Sequence, residues 1–162
     1  MNRLCKHVGL LLLAACLIGN LYADDSVFIG DGDISALKLY DSQGNRLDAT
    51  SENASKIGEG WIIQNPDTPI LIITPRGTIN VYEGSLLVTG NLTSKQSDIY
   101  LVSGKATFNT YDMDSGILTV STPVSRHRLE GDGEMLVITS ENEESVTAFT
   151  GTVSSYKDRK ST

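Results

Sequence analysis

The side chains of this protein best suited to chemistry are few and scattered: His127 between Arg126 and Arg128, the pairs Asp31 with Asp33 and Asp112 with Asp114, the run Glu141 to Glu144, and Trp61. Acid–base or nucleophilic catalysis calls for an imidazole, a thiolate or a buried carboxylate pair set beside a nucleophile. His127 sits between two arginines in a stretch that reads as a strand, and it is expected to point to solvent. No glycine-x-serine-x-glycine elbow and no phosphate-cradling loop occurs. The aspartate pairs fall on turns, but neither has the spaced ligands and bidentate glutamate of an EF-hand loop, so solvated turns are expected there. The acidic run reads as the cap of a hairpin that discourages edge pairing. Trp61, flanked by Gly60 and Ile62, is expected in the core. Asn53-Ala54-Ser55 and Asn91-Leu92-Thr93 match the glycosylation triplet, which acts only in a eukaryotic secretory host. The reading is therefore of a chain that is not an enzyme, with no catalytic, cofactor-binding or metal-binding residues.

Residues 1–23 read as an address. Arg3, Lys6 and His7 form a basic start, Val8 to Gly19 is an apolar stretch too short to span a bilayer, and Leu21-Tyr22-Ala23 ends on a small residue ahead of Asp24 and Asp25. Cleavage after Ala23 is expected. The alternative is a lipoprotein signal at Leu13-Ala14-Ala15-Cys16, which would leave Cys16 lipidated and the chain tethered to a membrane. Both cysteines, Cys5 and Cys16, lie in this segment, so the exported part after Ala23 would have no internal disulfide or thiolate metal site. The same cut removes Arg3 and Lys6 from the 13 basic residues, leaving 11 against 20 acidic ones, a net charge near −9. Such a surface repels phosphate backbones, and nucleic acid is excluded as a partner on that ground.

The elements that would position these side chains read as β throughout. No window after residue 23 places apolar residues at helical spacing over three turns, whereas short β-rich runs bounded by Gly, Pro, Asn and Asp recur. Strands are expected at Ser26–Ile29, Ile34–Tyr40, Gly60–Gln64, Ile70–Thr74, Thr78–Tyr82, Leu86–Thr89, Ser97–Val102, Lys105–Thr110, Ile117–Ser121, Arg126–Leu129, Met135–Thr139, Val146–Phe149 and Thr152–Tyr156. Asp48–Lys56 reads as a loop or one short helical turn. Residues 24–56 form an N-terminal β extension, 57–156 the main β domain and 157–162 a frayed tail.

The main domain repeats itself at about 47 residues. Ile99-x-Leu101-x-x-Gly104-x-Ala106-x-Phe108 matches Val146-x-Ala148-x-x-Gly151-x-Val153-x-Ser155, Thr74-Pro75 matches Thr122-Pro123, and Glu83-Gly84 matches Glu130-Gly131. The expected fold class is all-β, a two-copy β-sandwich or stacked β-roll with short antiparallel strands. In each copy the apolar alternation makes an odd jump across the glycine, which inverts the face. Gly104 and Gly151 are therefore expected at a tight turn or bulge that restores the register.

At these residues the chain resembles the FecR domain, the periplasmic module named for the ferric citrate uptake regulator. The resemblance is carried by Ile70–Ile79 with Arg76-Gly77, Glu83-Gly84-Ser85 before Leu86, Leu101–Phe108, Thr119–Val124 and Val146–Val153, and it covers roughly residues 57–156. One departure is Gly131-Asp132-Gly133-Glu134-Met135, where the family has glycine-threonine-x-phenylalanine. The sequence also lacks the anti-sigma segment and membrane helix of the transmembrane regulators, so sigma-factor regulation is not carried over.

The resemblance implies a non-catalytic binding or regulatory-interaction module in the periplasm or cell envelope, with an envelope protein or a glycan as partner. The alternative from another class is a structural or lipid-transport β-jelly-roll protein of the envelope. Intact-mass measurement of the chain from its host is expected to show loss of the first 23 residues. An acylated Cys16 would select the lipoprotein route, and a retained Met1 would overturn export.

Overall fold

Burial alternates along nearly every strand: Ile70, Ile72 and Thr74 face inward and Leu71 and Ile73 outward, and on the next strand Ile79 and Val81 face inward with Thr78 and Asn80 outward. The computed structural model describes residues 27–65, 67–93, 96–111 and 116–157. They form eleven strands: β1 Phe28–Asp31, β2 Lys38–Tyr40, β3 Arg46–Leu47, β4 Ile62–Asn65, β5 Ile70–Thr74, β6 Gly77–Val81, β7 Ser85–Leu92, β8 Gln96–Thr110, β9 Ile117–Ser121, β10 Ser125–Thr139 and β11 Glu144–Lys157. The one α-helical turn, α1, is Ser51–Ala54. The chain is all-β. Residues 1–26 with Cys5 and Cys16, Asp112, Asp114 and the residues beyond Lys157 lie outside the described residues.

Two local expectations change. Ile34–Tyr40 is not one strand, because the Asp33 carboxylate accepts a hydrogen bond from Ser35 N and caps a 3₁₀ turn over Ile34–Ala36, leaving only β2 extended. In the segment left open between loop and helix, Thr50 caps α1 by accepting from Asn53 N.

The larger change concerns strand length. Six of the expected short strands merge in pairs into β8, β10 and β11, of 15, 15 and 14 residues. Each runs through two pairing environments. The first half of β8 pairs with β7 and, in parallel, with β9, while its second half pairs with β6 and β10. The first half of β10 lies between β9 and the end of β11, and its second half lies between β8 and the start of β11. Residues from both halves, such as Leu101 and Leu129 with Phe108 and Met135, share one buried core. A single hydrogen-bonded sheet therefore curls to make both walls around it.

The corners are at glycine. Gly104 has φ 97° and Gly151 has φ 81°, both in the left-handed region that L side chains resist. A Cβ on Gly104 would land 2.5 Å from Ser85 Cα. That closeness is used: the buried Ser85 hydroxyl accepts from Lys105 N and donates to Lys105 O, each at 2.9 Å, and so pins the bulge.

The two copies occupy equivalent places. β5 and β6 close on Thr74, whose hydroxyl donates to Gly77 O, and β9 and β10 close on Thr122, whose hydroxyl donates to Ser125 O. β8 pairs with β7 and then β6, just as β11 pairs with the second and then the first half of β10. Ile99, Leu101, Ala106 and Phe108 are all buried, and Val146 and Val153 pack against the same core. Ala148 departs from expectation. It lies opposite buried Met135 on the inward face, but β11 is an edge strand and Ala148 is exposed.

Gly104→Ala is expected to cost about twice as much stability in urea unfolding, followed through Trp61, as Gly44→Ala, whose positive φ is similar but whose Cβ meets nothing within 4 Å. Strain alone is worth about 1–3 kcal/mol, and the collision with Ser85 adds about as much again. Equal losses at the two glycines would refute the corner's dependence on close approach.

Candidate functional site

His127 does not face solvent. The alternation of β10 turns Arg126 and Arg128 outward and sends Ser125, His127 and Leu129 inward, and His127 is only 2% exposed. Its ring is held at both nitrogens. Nδ1 lies 2.8 Å from Ser155 Oγ, and Nε2 lies 3.0 Å from Ser125 Oγ and 3.1 Å from Glu144 Oε2. The Glu144 carboxylate also accepts from the Thr122 hydroxyl at 2.7 Å and, through Oε1, from the Ser125 hydroxyl. The acidic run thus divides: Glu141 and Glu143 are exposed, while the Glu144 side chain turns in to 15% exposure.

These contacts fix the shape of the end of the molecule. Glu144 opens β11 and Ser155 lies 11 positions further along it, a separation of roughly 35 Å in a straight strand. Both bond to one imidazole, so β11 folds back on itself at Gly151, and Glu144 clasps the start of β10 to the start of β11. The polar cluster has a counterpart in the other copy: His127 pairs with Ser155 where Ile79 pairs with Phe108, both fully apolar.

Hydroxyl, imidazole and carboxylate are the elements of a proton relay, but their connectivity is specific. Ser125 and Glu144 share Nε2, and Ser125 donates directly to Glu144 without passing through the ring. In a nucleophile–base–acid relay the acid holds the nitrogen opposite the nucleophile's. Only Ser155, on Nδ1, has that relation to Glu144.

The other face of the same strands carries an open groove of about 720 Å³ lined by Gln96, Asp98, Ile117, Thr119, Ser121, Arg126, Arg128 and Tyr156. Arg126 and Arg128, two residues apart, project from β10 to the same side. Arg128 Nε is 3.2 Å from Glu130 Oε1 but off the line of its own N–H, so this donor has no hydrogen bond. Gln96 Nε2 donates to Asp98 Oδ2 at 3.0 Å. Tyr156, more than half exposed, stands at the edge of the groove. The groove was missed in the sequence because its residues come from four strands, and the only local signal was the arginine pair flanking His127.

Of the other residues singled out, Asp31 accepts from Gly32 N and Asp33 from Ser35 N, both as exposed turn formers. The hydrogen bonds from Ser35 hold the Asp33 carboxyl below its ordinary pKa. Trp61 is partly buried against the core. Among the described residues no three His, Cys, Asp or Glu side chains group as metal ligands, and no helix is long and apolar enough to cross a membrane. Comparison with family models, curated proteins and solved structures finds no match.

Burial is the largest single influence on Glu144 and acts to raise its pKa. The hydrogen bonds from Ser125, Thr122 and His127, with the charge of His127, together outweigh it, and the carboxyl is held below its ordinary 4.5. A carboxyl whose folded pKa is depressed contributes stability above its unfolded value and loses it as pH falls through the folded one. The wild type is therefore expected to lose more stability than Glu144→Gln on acidification below about pH 4.5, measured by urea midpoints from pH 6 downward. Parallel curves for the two proteins would show that the clasp does not depend on the ionised carboxylate.

Proposed function

We propose that this chain is a non-catalytic binding module of the cell envelope, resembling a FecR domain, and that the groove beside Arg126 and Arg128 takes a carboxylated glycan. The observation that carries the reading is the groove itself, where two guanidinium groups, an exposed tyrosine and the hydroxyls of Thr119 and Ser121 face one open space. Guanidinium forks bind carboxylates in bidentate fashion. A tyrosine offers an apolar face to a sugar ring together with a polar tip. Hydroxyl and amide groups complete the hydrogen bonding that sugar hydroxyls require. The volume falls within the range of small-ligand sites.

The non-catalytic part of the reading is supported by placement. His127 and Glu144 lie on the inward face of the strands whose outward face forms the groove, so no imidazole reaches a ligand bound there. The structural or lipid-carrying alternative calls for an apolar groove, and this one is lined mostly by charged, amide and hydroxyl side chains.

Titration calorimetry with soluble peptidoglycan fragments, which carry carboxylates beside sugar hydroxyls, tests the reading. Arg126→Ala with Arg128→Ala is expected to weaken binding at least tenfold, about 1.4 kcal/mol, without moving the urea midpoint. Wild-type affinity is expected to fall as salt rises. No binding by the wild type, or equal binding by the double variant, would overturn the assignment.

A further inference from the structure

We infer that a second copy of this chain adds antiparallel along the free edge of β11, so that two curled sheets join into one closed two-fold dimer. The starting point is an unprotected edge. Among the described residues β11 pairs only with β10, and its 14 residues carry no proline and no charge between Glu144 and Lys157. Edges that must stay unpaired are kept short or blocked with charge, proline or bulges. The other two edges are short: β3 has 2 residues and β1 has 4.

The face pattern then selects the occupant. Directly opposite positions of an antiparallel pair share a face. Pairing with β10 therefore places Glu144, Val146 and Ala148 on the inward face before the corner, and Val153, Ser155 and Lys157 after it. The corner at Gly151 has changed the inward positions from even to odd. Over the whole strand, a two-fold copy can therefore match inward with inward only by pairing the first half of one β11 with the second half of the other. The full-length register sets Ala148 against the second copy's Val153, Val146 against its Ser155, and Glu144 against its Lys157. The two-fold axis falls between Thr150 and Gly151, so the two glycine corners lie side by side across it. A strand with another pattern would have to supply the same bend at the same place, whereas a second copy supplies it by identity.

The pairing also covers what the single chain leaves open. Val146 and Val153 are only partly buried and Ala148 is exposed on the inward face, because the core ends at this edge. In the dimer each wall continues into the other wall of the second copy. Among the described residues β11 is the one long edge, so the contact is isologous and closes at two. The inference does not depend on what the groove binds.

Sedimentation equilibrium of the chain is expected to give the mass of two protomers at micromolar concentration. Ala148→Lys, which places an inward charge at a position exposed in the single chain, is expected to give one protomer that still unfolds cooperatively, with a urea midpoint independent of protein concentration where that of the unaltered chain rises with it. Register is read separately: with Cys5 and Cys16 removed by processing or changed to Ser, Ala148→Cys combined with Val153→Cys is expected to form a disulfide-linked dimer on oxidation. A single-protomer mass for the unaltered chain, a dimer that survives Ala148→Lys, open-ended fibres, or no cross-link from the cysteine pair would each overturn it.

Discussion

The structure depends on strands that turn corners without breaking their hydrogen bonding. Three long strands, β8, β10 and β11, pass from one wall of the core to the other, and each does so through a glycine at positive φ: Gly104, Gly131 and Gly151. In β8 and β11 the corner holds an odd residue, without which every side chain beyond the bend would sit on the wrong face. The Ser85 hydroxyl, bonded to both backbone groups of Lys105, shows how the first corner is fixed. At the second, the Gly151 Cα packs against Gly133, so the corners of β10 and β11 nest where a side chain on either would separate them.

Duplication explains why one copy is apolar where the other is polar. The Ile79 and Phe108 pair lies at the centre of the sheet, covered from both sides, and there oil-like packing is the stable choice. Its counterpart, His127 with Ser155, lies beside the edge strand, where the walls must be drawn together without a neighbour to cover them. Hydrogen bonds to an ionised carboxylate are directional and each is worth about 1.5–3 kcal/mol, so they hold an open end where apolar contact is thin. The same alternation that buries His127 presents Arg126 and Arg128 on the outside. The buried clasp and the open groove are two faces of one strand.

The all-β class, the positions of most strands and the two-copy pattern were legible because alternation and turn residues are local signals. Gly104 and Gly151 were legible as corners because the odd jump from Leu101 to Ala106, and from Ala148 to Val153, has no other remedy. Merging across them was not, since a glycine between two strands looks the same whether the chain turns back or bends and continues. His127 was misread for a related reason: period two says that it faces away from Arg126 and Arg128, but not which side is the core. Comparing the copies would have decided this, since its counterpart is Ile79. Glu144 was hidden in a run of similar residues, and its partners lie about twenty positions earlier in the chain, at Thr122 and Ser125.

The clasp also carries information about time. It joins Thr122, Ser125 and His127 to Glu144 and Ser155, so it cannot close until β9, β10 and β11 have paired and both of the outer corners have bent. Contacts that close last are absent from the folding transition state, and interactions of that kind act on the rate of unfolding far more than on the rate of folding. In a sheet built largely from pairings distant in sequence, which folds slowly for that reason, the polar cluster is a latch: it does not guide the chain to its shape but sets how long the shape lasts once reached.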